Sequence, residues 1–349
     1  MPHWVWIYDA ALNAMPDGRA YLVNADNGEF LGSLNTGYSW VAFALPRSYE
    51  EIYSAETYYS RHTRGTRSDL VSIYDPVTLS LESEIPLPPK RASTIPRLND
   101  SALSDDGRFM AVFNLTPATS LSIVDLKKRN FVGEIPIPGC SLAFPAGPRR
   151  FISPCFNGGV LLTDLNEEGS LAKQKLTNGI FDSEGDFMAD NGSRLGDDWL
   201  FASLRGNIYR LDASGEEVRL LASWSFLSDP DNKANWRMSG FQGSAMHQAT
   251  GMLFLLVHRG KEDTYKDPGT EVWVYDVDKK VQLRQFKLVH PAAGIAVSQD
   301  DEPILVGVDI EGRRIDVYSV SSGRHLRSIN EMGMTPALAQ FPWHPAKAK

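Results

Sequence analysis

The sequence predicts an all-β protein, a seven-bladed β-propeller of four-stranded antiparallel blades, and three observations lead there. A short strand with apolar residues at alternate positions, closed by an aspartate and a polar turn, recurs about seven times at intervals of roughly 40 to 65 residues. Between the copies lies a second recurring piece, an apolar strand, an acidic or glycine turn, and another apolar strand. Helical periodicity is weak throughout.

In chain order, Trp4 to Tyr8 carries Val5, Ile7 and Asp9 at the repeat spacing and is expected to complete a blade where the chain ends meet. Tyr21/Val23 followed by Asn24-Ala25-Asp26-Asn27-Gly28 is a looser copy. Val71/Ile73/Asp75, Leu121/Ile123/Asp125, Val160/Leu162/Asp164 and Val272/Val274/Asp276 fit the pattern fully. Ile208/Tyr209/Leu211/Asp212 is out of register by one, and Ile315/Val317/Ser319 has serine in the acidic slot. The second piece is read at Leu103 to Val112, Ala245 to Phe254 and Ile295 to Ile304. Two hairpins make one four-stranded blade. A lone blade cannot cover both its faces, so blades must stack around an axis, and closing the ring leaves few exposed strand edges. Residues 1–349 are therefore read as one propeller domain, closed near the termini. Trp224 to Asn235 is expected to form a short helix in a loop.

Composition bounds the function classes. With 349 residues, 42% hydrophobic and 22% charged, the chain can bury a substantial core. It carries 35 basic and 43 acidic residues, a net charge of -8, without a basic run or basic-aromatic stripe, so nucleic acid is not an expected partner. No stretch approaches about 18 uninterrupted apolar residues, so no membrane span is predicted. The N-terminal Met-Pro-His-Trp-Val-Trp has no charged leader with an apolar segment behind it, which fits a cytosolic protein or one whose signal peptide has been removed.

One segment does not repeat. Just before the Leu70 to Leu87 hairpin unit runs Tyr59-Ser-Arg-His-Thr-Arg-Gly-Thr-Arg-Ser-Asp69, a basic arginine-glycine loop. An unrepeated insert in a repeat protein is where a specific function usually sits. Arg61, Arg64 and Arg67 are candidates to dock an acidic partner, or else form a simple exposed basic turn. Two cysteines, Cys140 and Cys155, bracket what reads as a hairpin whose ends come together on adjacent strands. A disulfide there would contribute about 3 kcal/mol and place the protein in an oxidising compartment. Two buried free thiols fit the same residues.

A search for chemistry intrinsic to the chain returns little. The histidines, His3, His62, His247, His258, His290, His325 and His344, form no pair at zinc-ligand spacing, and Cys-x-x-Cys, His-Glu-x-x-His, Gly-x-Ser-x-Gly and phosphate-loop patterns are absent. Asp182-Ser183-Glu184-Gly185-Asp186 lacks the downstream bidentate glutamate of a calcium loop and reads as a solvated turn. Asp105-Asp106, Asp197-Asp198 and Asp300-Asp301 sit at predicted turns, where aspartate bonds its own backbone. The 8 tryptophans and 12 tyrosines are read as packing between blades.

Beyond the repeats, the chain resembles the heavy chain of the tryptophan tryptophylquinone amine dehydrogenases, methylamine dehydrogenase and aromatic amine dehydrogenase. The resemblance rests on Ser60-Arg61, Arg64-Gly65, Arg67, Asp69 and Asp75-Pro76-Val77-Thr78-Leu79, and on Cys140/Cys155 with Phe144-Pro145 between them. It continues through Trp236-Arg237, Gly240, Gln242, His247, Leu255-Leu256-Val257, Val297-Ser298-Gln299-Asp300 and Leu326-Arg327-Ser328-Ile329-Asn330, ahead of Gly333 and Pro336. It thins between about Leu176 and Leu220 and at the C-terminus. The resemblance implies a periplasmic seven-bladed scaffold that assembles, two copies with two, with a small cysteine-rich light chain. The quinone would sit on that light chain and no cofactor on this one. It also implies oxidation of primary amines to aldehydes, with electrons passing to a cupredoxin or a cytochrome c. No catalytic or metal-binding residue is then expected on this chain. One position carries over with a role: the family places an aromatic after a glycine at the substrate-channel mouth, which here is Gly37-Tyr38. The following Ser39-Trp40-Val41 departs from the family's proline-containing run.

Two other functions are compatible with a propeller of this composition. One is a stand-alone periplasmic binding or interaction propeller without a light chain. The other is a hydrolase or lactonase with an axial metal, which the lack of recurring acid and histidine clusters at strand starts disfavours.

Overall fold

A computed structural model describes residues 2–38, 42–93 and 97–342. The seven repeat strands identified above, Gly18–Asn24, Arg64–Tyr74, Ser120–Asp125, Val160–Leu165, Asn207–Asp212, Gly269–Asp276 and Arg314–Ser319, are each the third strand of a different blade. Their apolar positions are buried: Val71, Ile73, Leu121, Ile123, Val160 and Leu162 are all inaccessible to solvent. At Asp75, Asp125 and Asp276 the acidic slot works as a local turn former, whereas Asp164 pairs with the Arg150 guanidinium. Asp75 Oδ1 accepts the amides of Val77 at 2.9 Å and Thr78 at 2.6 Å, Asp125 that of Lys128 at 3.0 Å, and Asp276 that of Lys279 at 2.9 Å. In the divergent copies Asn24 and Ser319 do the same for Asp26 and Ser322.

Blade one combines the two ends of the chain: Pro336–Gln340 pairs antiparallel with Trp4–Asp9, followed by Gly18–Asn24 and Phe30–Gly37. Blade two is Ile52–Arg61, Arg64–Tyr74 and Leu81–Leu87, with Ala44 bridged to Tyr53 at its inner edge. A single parallel pair, Gly37 with Thr57, joins these two blades into one seven-stranded sheet. Blades three, four, five and seven are regular four-stranded sheets. Blade six has an interrupted inner strand, with Trp236–Met238 and Ser244–His247 pairing to successive parts of Met252–Arg259.

Aromatic residues fill the seams between blades, as expected for sheets that must cover both faces. Phe144 meets Phe201 and Trp199 edge-on at 5.0 Å each, and Trp6 meets Phe43 in the same geometry at 5.0 Å. The loop helix is shorter than the sequence implied. It spans Asp229–Lys233, with Ser228 as its cap, because Trp224 belongs to the strand Arg219–Ser225 and pairs with Ile208. The Asp182 segment also differs in part. Asp182 accepts the amides of Glu184 and Gly185 as a turn should, but Asp186 is buried and accepts from Ser203 Oγ, the Arg205 amide and Asn207 Nδ2. Asp186 thus fastens the loop entering blade five to that blade's second turn, a long-range contact that a local pattern does not reveal.

Candidate functional site

Strands alternate in direction within a blade, so the loop entering it, the loop between its second and third strands, and the loop leaving it share one face. Tyr38, the Arg61 to Arg64 turn and the Cys140–Cys155 pair all lie on that face.

Strand Phe30–Gly37 ends in a left-handed residue, Gly37, with φ 72°. A side chain there would also be obstructed, since a Cβ would lie 2.7 Å from Thr57 O and 3.1 Å from Tyr58 Cζ. The glycine therefore lets the chain press against strand Ile52–Arg61 and deliver Tyr38 in a defined position. Tyr38 donates its amide to Thr57 O at 2.7 Å, and its carbonyl accepts Arg91 Nη2 at 3.4 Å. Its ring packs edge-on against Tyr59, centroids 5.2 Å apart at 74°. Ser39, Trp40 and Val41, where the sequence departs from the family run, lie outside the described residues.

Beneath Tyr38 is a buried charged network. Asp69 accepts Thr57 Oγ1 and Arg67 Nε on one carboxylate oxygen, and Arg67 Nη2 and the Arg91 amide on the other, each at 2.8 Å. Arg91 is itself buried and donates to Thr57 Oγ1 at 3.0 Å and to Ala92 O at 3.0 Å. No buried side-chain polar atom of Thr57, Arg67, Asp69 or Arg91 lacks a hydrogen-bond partner, which is the condition for a buried ion pair to be tolerated.

Above Asp69 the hairpin leaves its blade. The third strand pairs only as far as Asp69 with Leu87, while Tyr58–Ser68, Tyr59–Arg67 and Arg61–Arg64 continue as a two-stranded ribbon. The three candidate arginines divide here. Arg61 and Arg64 are exposed and form no ion pair among the described residues, whereas Arg67 is directed inward to Asp69 and Arg91 O. Tyr59 sits across from Arg67, so the candidate channel aromatic and the arginine ribbon meet at one strand.

Sequence reasoning passed over Glu56, which lies on this strand and is fully buried. Its carboxylate accepts Ser72 Oγ at 2.6 Å, Tyr58 OH at 2.8 Å and Tyr74 OH at 3.0 Å, with no cationic partner among the described residues. Burial raises its pKa above the ordinary carboxylate range, and the hydroxyl bonds offset this only in part. An acid with a raised folded-state pKa contributes stability fully below the unfolded-state value and loses it as pH rises through the folded-state value. Replacing Glu56 by Gln is accordingly expected to flatten the decline in stability on the alkaline side of the normal carboxylate range. Chemical unfolding across that range checks it, and an unaltered slope would rule out Glu56 as the titrating group. No residue alternation marks Glu56 as internal; only the packing of blade two on blade one does.

Cys140 and Cys155 form a disulfide, which decides between the two readings of the pair. The next residue, Phe156, is 82% exposed and borders a cavity of about 350 Å3 shared with Phe181 and Phe187. Phe187, Leu115 and Tyr58 are also exposed on this face. Among the described residues no group of three or more His, Cys, Asp or Glu side chains gathers as metal ligands, and no helix is long and apolar enough to cross a membrane.

Taken together, the blades and the clamped aromatic describe a propeller that carries its specific features on one face. The family profile described as methylamine dehydrogenase heavy chain (MADH) matches residues 3–341, and the chain belongs to that family. It is 26% identical to the methylamine dehydrogenase heavy chain of Methylobacillus flagellatus over 91% of this chain and 80% of that one. It is 29% identical to the heavy chain of Methylophilus methylotrophus over 81% and 70% respectively. The fold is similar to the β-propeller domain of Cps50 (Swd1) from Myceliophteria thermophila, with a TM-score of 0.61 at 11% identity over 91% of this chain and 97% of that one.

Proposed function

We propose that this chain is the heavy subunit of a periplasmic amine dehydrogenase, one propeller domain over residues 1–349 closed by the pairing of Pro336–Gln340 with Trp4–Asp9. In this reading a small cysteine-rich light chain, in a two-plus-two assembly, seats on the face bearing Tyr38, Phe156 and Phe187. It carries the tryptophan tryptophylquinone, which supplies the amine-oxidising chemistry, and passes electrons to a cupredoxin or cytochrome c. This chain contributes a wall. Tyr38 narrows the channel mouth, and Arg61 and Arg64 offer two unpaired cations to a docking partner.

The observation that carries the reading is the fixing of Tyr38. In a chain of this family, an aromatic at that position is held through its amide, its carbonyl and its ring, as a size-selecting group must be. The disulfide supports an oxidising compartment. The test is co-expression with a light chain, followed by amine-dependent dye reduction. A complex that oxidises primary amines is expected, and Tyr38→Ala should shift its kcat/KM ratio toward bulkier amines by about tenfold or more. Failure to form any complex overturns the subunit assignment. An active complex whose preference ignores Tyr38→Ala overturns only the channel role.

A further inference from the structure

The innermost segments of blades one to six converge on the ring axis, and their ends enclose a cavity of about 330 Å3. It opens on the face opposite Tyr38, where the first strand of each blade turns into the second. A charged pair spans one side of it. Arg194, on the first strand of blade five, donates through both Nη atoms to the carboxylate of Asp105, in the first turn of blade three, and so reaches past blade four. The pair is fixed from behind: Arg194 Nε donates to Gly196 O at 2.8 Å, and the guanidinium lies 5.9 Å from the centroid of Trp199.

The wall beside this pair holds polar groups that the fold does not satisfy. Ser101 lines the cavity at only 5% exposure, and its buried Oγ has no hydrogen-bond partner among the described residues. A buried hydroxyl left unpaired costs free energy. The Gln248 side-chain amide makes no hydrogen bond among the described residues, and Gln340, whose Oε1 accepts Tyr8 OH at 2.6 Å, keeps its Nε2 donor. Arg194 has bonded three of its five N–H groups, and both Asp105 oxygens retain a lone pair. Donors and acceptors therefore stand side by side, with the one charge inside already balanced. A ligand that only accepts, or only donates, leaves half of these groups unmet; a ring of hydroxyls answers both kinds. Leu45, Leu103 and Phe341, each partly exposed, supply an apolar patch for the C–H face of such a ring.

We infer that this axial cavity binds a neutral monosaccharide in its ring form. Neighbouring hydroxyls accept from Arg194 and donate to Asp105, another pairs with Ser101 Oγ, and the Gln248 amide bonds a further one. The volume stands at the lower end of the range for small-molecule sites, which suits a single ring and not a chain of them. The site lies on the face away from Tyr38, so it depends neither on a light chain nor on the amine-oxidation reading.

Calorimetric titration of the full chain with the methyl glycosides of glucose, galactose and mannose tests it. Cyclohexylmethanol, a ring with one hydroxyl, and sodium acetate, a small anion, are the controls. Saturable binding of at least one glycoside is expected, about tenfold or more tighter than either control. Ser101→Ala and Gln248→Ala should each weaken that glycoside about fivefold, the worth of one hydrogen bond. Ser101→Ala removes a hydroxyl that is unpaired in the free chain, so its thermal midpoint should not fall, and weaker binding then cannot come from loss of fold. Absence of binding by all three glycosides, a control that binds as tightly, variants that bind as the parent does, or a lowered midpoint for Ser101→Ala overturns the assignment.

Discussion

Asp69→Ala is expected to lower stability by about 3–5 kcal/mol, the range for leaving buried charge without its counter-ion. The Asp69 side chain is inaccessible to solvent and is the carboxylate that both Arg67 and the backbone of Arg91 bond. Without it, the buried Arg91 guanidinium and the inward-facing Arg67 face each other with no anion between them, and Thr57 loses its acceptor. Asp69→Asn keeps the shape and part of the hydrogen bonding, so it should fall between the two. Denaturant unfolding measures the loss as a shift in midpoint at constant slope. Because Thr57 and Arg91 also hold the backbone of Tyr38, loosening there should accompany the destabilisation. A drop under about 1 kcal/mol would mean that water or a rearranged hairpin compensates, and that this network does not anchor the ribbon.

Replacing Cys140 and Cys155 together with alanine should cost about 3 kcal/mol under oxidising conditions. The bridge closes a segment with a sequence separation of 15, a length at which the unfolded chain loses considerable freedom. In the folded protein it ties the loop entering blade four to that blade's second turn, next to the exposed Phe156. Reduction of the parent protein should reproduce the loss, and the double-alanine chain should not respond to reductant. Identical unfolding of all three species would show that the bond adds nothing to stability.

How much of this was visible in the residues follows from the range of the interactions. The third strands announce themselves because their signals are local: alternate burial and, in several blades, an aspartate whose carboxylate caps amides two or three positions on, as at Asp75 and Asp276. The outer strands are weaker. Leu171–Thr177 and Val281–Ala292 are largely exposed and carry little apolar contrast. At the site, Tyr38 and the arginine loop were legible as residues by family resemblance, but not as neighbours. Their proximity depends on the Gly37–Thr57 pair, which joins two blades. The inward turn of Arg67, the burial of Arg91 and of Glu56, and the meeting of Lys266 with Asp190 across blades had no local signature.

Alone, then, the order of residues determined the blade as a unit, the number of its copies, the family and the pair of cysteines able to meet. Each of these depends on contacts within a few positions or on a motif's identity. The tertiary structure decided which charges are internal and which remain available, and which side chains from distant blades share a cavity. Such matters depend on desolvation and on distances between segments far apart in the chain, and a buried carboxylate reads in one dimension as the same letter as a solvated one.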